Sequence, residues 1–217
     1  MSGSGRPTPV VFLHSAGLTP QMWQAQVEAV GAETQVIAPW LAGLRPGRAA
    51  ELSLRGAADE VVSQLDRYGI ERAVVVGHQL GAMVGLQVAT SDPERVAGLV
   101  LSGAVVSPGR LALGVQRGLI RMLPARSLAD SGATKADLLR ALDVVAGADF
   151  GQRLASVSIP VLLIAGSADP ALASARALAA RLPNARLEEL PGVGPNPNLE
   201  RPDAYNRLLT EFLVLPT

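Results

Sequence analysis

The stretch Ala73-Val-Val-Val-Gly77-His-Gln-Leu-Gly81-Ala82 decides how the rest of the chain is read. Ala73–Val76 is a short β-branched run, apolar at successive positions, as in a strand covered on both faces of a parallel sheet. Two glycines four residues apart follow it. Gly81 permits a tight turn and close packing of whatever comes next. From Leu80 to Ser91 the pattern is helical, and Pro93 stops it. A second apolar run, Gly98–Leu101, completes a strand–turn–helix–strand unit.

Working outward, further strand candidates are Val10–Leu13, Gln35–Ala38, Val161–Ala165 and Ala185–Leu190. Helical patterns lie between them. Thr19-Pro20 offers an N-cap and a first-turn proline before Gln21–Val30. Ser53 can cap a helix that reaches Tyr68, in which Ala57, Val61 and Leu65 recur every four residues and Gly69 provides the stop. Pro170–Leu182 and Asp203–Val214 complete the set. This alternation predicts an α/β domain with a mostly parallel, doubly wound sheet of about six strands.

The stretch from 107 to 158 breaks the rhythm. It holds helical patterns, one with Val115, Leu119, Met122 and Leu123 on a single face and another over Lys135–Val145, without a convincing strand. The expected organisation is a flexible arm over 1–8, core over 9–106, a small helical cap over 107–158 that closes a pocket, and core again over 159–217. Ordinary surface helices are the plainer reading of the insert.

Composition narrows the function. The chain has 217 residues, 48% hydrophobic, with net charge zero and a pI near 6.7. No basic block supports nucleic-acid binding. No stretch is long and apolar enough for a leader or a membrane span, so a cytoplasmic location is expected. Cysteine is absent, which removes disulfides and thiolate chemistry. His14 and His78 are the only histidines and do not have metal-ligand spacing, so no metal is expected. Gly77-x-x-x-Gly81 is neither a dinucleotide fingerprint nor a P-loop, so no cofactor is implied.

Four segments, in order, resemble the α/β-hydrolase superfamily, and within it the small esterase, enol-lactonase and C–C hydrolase branch. Pro9-Val-Val-Phe-Leu-His-Ser-Ala-Gly17 is similar to its strand and oxyanion loop. Val36-Ile-Ala-Pro-Trp-Leu-Ala-Gly43 is similar to the following strand and loop, with Trp40 at a position usually held by Asp. Ala73–Ala82 looks like the nucleophile elbow. Ile159–Pro170 and Leu190–Pro202 look like the acid turn and the histidine loop. Three departures stand out. The elbow, usually G-x-S-x-G, reads Gly77-His78-Gln79-Leu80-Gly81, which puts Gln79 at the nucleophile position. The histidine loop reads Gly192-Val193-Gly194-Pro195, which puts Pro195 at the imidazole position. The hairpin that usually opens the fold is missing, leaving an edge that the N-terminal arm or a homodimer would blunt.

The resemblance therefore implies a fold without a working Ser-His-Asp triad. An amide is not a useful nucleophile and proline carries no titratable atom. In a related triad, losing either partner costs on the order of a million-fold in rate. What persists is an oxyanion hole of backbone N–H groups, from Leu80 and from Ser15 or Ala16, with Gln79 and Trp40 as further binding residues. Trp23 and Trp40 either wall the pocket or fill the core. Asp169, at the acid position, is a general base or a turn former before Pro170. His14 is a proton carrier or a structural group in the oxyanion loop, and His78 packs behind the elbow.

The preferred functional reading is an enzyme that binds a small apolar carbonyl compound and acts without hydrolysis, as a lyase, isomerase or cyclase. A pseudohydrolase that binds a ligand or a protein partner is the second. A weak esterase or lactonase with a non-standard site is the third.

Overall fold

A computed structural model describes residues 7–47, 51–106, 109–124, 126–128 and 133–214. The arm expected over 1–8 lies mostly outside these residues, as do parts of the insert at 107–108, 125 and 129–132.

Six strands form one sheet: β1 (Val10–Leu13), β2 (Val36–Ile37), β3 (Ala73–His78), β4 (Val96–Ser102), β5 (Val161–Gly166) and β6 (Ala185–Leu190). Their spatial order is β2-β1-β3-β4-β5-β6, and every pairing is parallel. Period-two alternation explains the unbroken apolar runs. Val11, Leu13, Val75, Leu99 and Leu163 point to one face, while Val10, Phe12, Val74, Val76 and Ile164 point to the other. Both faces are covered, so nearly every position of the central strands is buried.

The helices are α1 (Gln24–Val30), α2 (Leu54–Arg67), α3 (Leu80–Ser91), α4 (Arg110–Met122), α5 (Lys135–Ala146), α6 (Leu172–Ala179), α7 (Pro197–Glu200) and α8 (Pro202–Leu213). α2 begins where Ser53 Oγ accepts the Gly56 N–H, the cap expected of a serine, and buries Ala57, Val61 and Leu65. α2, α3 and α6 pack on one face of the sheet, whereas α1 and α8 pack on the other.

Several boundaries differ from the sequence reading. β2 has only two paired residues, because it lies at the sheet edge and the chain leaves it at Pro39. The helix expected from Gln21 opens as a 3-10 turn over Pro20–Trp23 before α1. β3 runs on to His78, since Gly77 and His78 still pair with Leu101 and Ser102.

The insert contains α4 and α5, joined by the Arg117–Asp143 ion pair and by Lys135 Nζ donating to the Arg121 carbonyl 2.8 Å away. The face shared by Val115, Leu119 and Met122 does not look inward. With Leu111 it is exposed to solvent, and α4 instead buries Ile120. α5 begins with a capping box between Thr134 and Asp137 and buries Ala141 and Leu142.

Candidate functional site

The carboxyl ends of β1, β3, β4 and β5 lie side by side, and the loops leaving them form the site. Between β3 and α3 the chain turns at Gln79, whose φ is 47° and ψ is −109°. It is the only non-glycine residue with positive φ among the described residues. Such a conformation costs on the order of 1–3 kcal/mol and persists only where its surroundings fix it.

The fixing is visible. The Gln79 N–H donates to the Ser102 carbonyl at 2.7 Å, which pins the turn to the end of β4. A Cβ on Gly77 would stand 2.5 Å from the Gly81 carbonyl oxygen. One on Gly81 would stand 2.1 Å from that of Leu13. Only glycine allows this doubling back, and it sets the first turn of α3 against the end of β1. Leu80 opens α3, so its N–H is among those that have no partner within the helix. The next residue, Gly81, lies against the Leu13 and His14 carbonyls, where the loop that carries Ser15 and Ala16 begins.

That loop is held by His14. Its Nδ1–H donates to the Ser15 carbonyl at 2.9 Å, and its Nε2 accepts the Leu41 N–H at 3.1 Å. Both ring nitrogens are engaged with backbone, the ring is fully buried, and burial lowers its pKa. The neutral imidazole is thus a strut between two loops, and it sits edge-on to Trp40 with centroids 5.1 Å apart. The Ser15 hydroxyl turns onto its own loop, donating to the Ala16 carbonyl at 3.3 Å. Gly17 has φ 81°, and a Cβ there would lie 2.9 Å from a methyl of Leu138. Helix α5 therefore lies against the Ser15–Gly17 loop.

The two tryptophans part company. Trp23 is fully buried on the α1/α8 face beside Phe12 (5.2 Å) and Tyr205 (6.1 Å), so it fills the core and walls no pocket. Trp40 is half-buried and lines a concavity of about 630 Å³ between the β2 edge and α2. Gln79 does not line that concavity.

Asp169 follows β5. Its Oδ1 accepts the Ala171 N–H at 2.8 Å, a side-chain turn that leads the chain into α6. Its second oxygen has no hydrogen bond among the described residues. The acid turn interlocks with the loop that holds Pro195: Ala168 N–H donates to the Val193 carbonyl at 2.9 Å, and Gly192 N–H to Ser167 Oγ at 2.8 Å. Pro195 itself is exposed.

Two residues given no role from sequence shape this loop. The Glu200 carboxylate accepts the N–H groups of Gly194 (2.7 Å) and Asn196 (3.0 Å), clamping the turn from below. Asn196 Oδ1 in turn accepts from His78 Nε2 at 3.0 Å. In the sequence Glu200 is marked only by its place two residues before Pro202, after the Gly192–Gly194 loop. No cluster of potential metal ligands exists among the described residues.

Known proteins match this architecture. The model of the alpha/beta hydrolase family matches residues 10–208. A Klebsiella pneumoniae protein named "Putative carbamate hydrolase RutD" is 31% identical, over 95% of this chain and 91% of its own. A solved structure described as Est816, an N-acyl homoserine lactone degrading enzyme, is 28% identical with a TM-score of 0.75, covering 96% of this chain and 94% of that one. The enol-lactonase from Burkholderia xenovorans LB400 is 20% identical with a TM-score of 0.84, covering 99% and 94%, and supports the fold. The chain is a member of the alpha/beta hydrolase family.

Proposed function

We propose that the chain breaks down a small carbamate-like or ester-like carbonyl compound without forming an acyl-enzyme. The observation that carries this reading is the elbow: Gln79 keeps a strained turn, with Gly81 pressed onto β1, at the position the family gives to its nucleophile. The backbone donors that such a turn creates do not depend on the side chain at 79. The relatives named as hydrolases supply the substrate class and weigh against the purely non-hydrolytic chemistry that the sequence suggested.

A carbonyl or carboxylate oxygen accepts hydrogen bonds from Leu80 N–H and from the N–H groups of the Ser15–Ala16 loop. The Gln79 amide, which can both donate and accept, orients the substrate or a water beside it. Carbamates suit a site with no nucleophile. When the nitrogen of an N-carboxylate takes a proton, the C–N bond breaks, its electron pair stays on nitrogen, and the neutral amine and carbon dioxide leave. For an ester, water attacks the carbonyl carbon, Asp169 through its second oxygen takes the water proton, and the bond to the alcohol oxygen breaks as that proton passes to it, so that acid and alcohol leave. His14 has a structural part in this scheme, because both of its nitrogens are occupied.

The test is turnover of simple N-carboxylates, activated short esters and lactones by the wild type and by Gln79→Ala, with intact-mass measurement during turnover. The reading expects product release with no covalent adduct and a loss of about ten-fold or more in Gln79→Ala. A covalent adduct on any residue overturns the mechanism. Absence of turnover with every substrate overturns the enzymatic reading and leaves a ligand-binding or interaction module.

A further inference from the structure

α3 is buried from Leu80 to Ala89, and over that stretch it is built from apolar residues and glycine with one exception, Gln87. Only 8% of Gln87 is exposed, and its side-chain amide has no hydrogen bond to any described residue. Its amide is not among the fully buried, unpartnered polar atoms, so the little surface that Gln87 keeps includes polar atoms open to solvent or to a ligand.

Gln87 lines a concavity of about 400 Å³ between the core and the insert, within the size range of small-molecule sites. One wall is the first turn of α2, a helix of 14 residues with no acidic residue in that turn. Ser53 Oγ satisfies the Gly56 N–H there, while Leu54 and Arg55 present N–H groups that have no intrahelical partner. The opposite wall is apolar, from half-buried Val144 on α5 and Ala148 after it, with the buried Phe150 ring beneath the Arg153 guanidinium, 5.7 Å from it.

Two acids stand at the rim, one ion-paired and one held by a backbone N–H. Asp143 pairs with Arg117, and Asp149 Oδ1 accepts the Gly151 N–H at 2.8 Å. Arg55 is paired with Asp59 on the exposed side of α2. The groups left to meet a ligand are the Gln87 amide, the α2 N–H groups, an apolar wall and the remaining N–H groups of Arg153, whose Nη2 already donates to the Asp149 carbonyl at 2.6 Å.

We infer that the junction of α2, α3 and α5 is a binding site for a small amphipathic monocarboxylate, separate from the elbow. The carboxylate lies at the α2 N-terminus, towards Gln87 and Arg153, and the apolar body lies on Val144 and Ala148. Helix N-termini favour anions, and the Gln87 amide supplies a directed donor that an apolar residue cannot. No bond is made or broken.

The probe is phenylacetate, titrated into the full chain and followed by amide NMR, with benzyl alcohol as the uncharged control. Phenylacetate is expected to give saturable shifts at the Leu54 and Arg55 amides and at the Gln87 side-chain NH2. Benzyl alcohol should bind about five-fold more weakly or worse. Gln87→Leu, close in volume and placed among apolar neighbours, should keep the fold and weaken phenylacetate by about five-fold or more. Arg153→Gln should do the same and serves if Gln87→Leu does not fold. Shifts that do not saturate, that centre on Leu80 and Ala16 instead, or that are equally strong in both variants overturn the inference.

Discussion

His78 Nε2 and Asn196 Oδ1 lie 3.0 Å apart, so the strand that ends in the elbow is tied directly to the loop that holds Pro195. An amide oxygen only accepts, so Nε2 carries the imidazole proton, and Nδ1 is left buried without a partner. Burial pushes the His78 pKa down from 6.5 to about 4, against the opposing pull of Asn196. The folded protein therefore holds this ring neutral, whereas the unfolded chain protonates it below pH 6.5. Stability from His78 is complete near pH 7, declines as the pH falls through 6.5, and levels off near 4. The full loss is about 3 kcal/mol. His14, also lowered by burial, adds to the decline in the same direction. Urea unfolding at about pH 7 and about pH 4.5 should show a smaller acid-induced loss for His78→Gln than for the wild type. Equal losses would remove His78 from the account.

Strain at Gln79 makes a second prediction. Glycine adopts positive φ without the Cβ penalty, so Gln79→Gly should stabilise the fold by about 1 kcal/mol, net of the greater entropy of glycine in the unfolded chain. The same change removes the amide proposed to orient substrate. Thermal unfolding and turnover measured together should move in opposite directions. A destabilised Gln79→Gly would mean that the side chain itself holds the turn.

The adjacent glycines bear the opposite burden. Gly81→Ala would force a Cβ to within 2.1 Å of the Leu13 carbonyl oxygen, a backbone atom of a central strand that cannot yield as a flexible side chain would. Destabilisation of at least about 3 kcal/mol is expected, enough to abolish soluble expression of a marginally stable domain. Gly114→Ala, where a Cβ meets nothing within 4 Å, is the matched control and should be neutral or slightly stabilising.

If the oxyanion donors and the Asp169 turn retain the geometry of the family, Gln79→Ser combined with Pro195→His should create covalent chemistry that neither single change creates. The readout is an acyl adduct on the serine placed at position 79, detected by mass after exposure to an activated ester. Failure of the double variant to acylate while remaining folded would mean that the two halves of the site no longer face each other.

The outward face of α4 can be tested without touching the site. Val115→Lys with Leu119→Lys replaces two solvent-exposed apolar side chains. Stability should change by less than about 0.5 kcal/mol, and any self-association of the wild type at high concentration should fall. A large loss of stability would show that this face is covered in solution.

Much of this architecture was legible in the sequence because the strands announce themselves. Val10–Leu13 and Ala185–Leu190 are bounded as read, and Leu80–Ser91 is recovered at both ends by its elbow and by Pro93. What escaped was tertiary. The helical period of Val115, Leu119 and Met122 reports that they share a face but not which way the face turns, and burial of Ile120 sends it to solvent. Trp23 sits in a segment that resembles a pocket-forming loop, yet its contacts with Phe12 and Tyr205 include an element far away in sequence. His14 has the chemistry of a proton carrier, but its Nε2 is taken by Leu41 in another loop, a partner that its own segment does not announce. Glu200 and Asn196 carry no chemistry that a residue list would flag. Their importance lies in the groups that they hold.

The clamp by Glu200 has a further bearing. Because the turn at Gly194 and Asn196 is fixed by a carboxylate reaching up from α7, the exposed side chain between them takes no part in holding the loop. Position 195 is an open socket on a prebuilt mount: its occupant can be exchanged while the mount stays folded. A lineage, or a saturation library at this one codon, can therefore sample new chemistry there in single steps, with little risk of losing the protein that carries it.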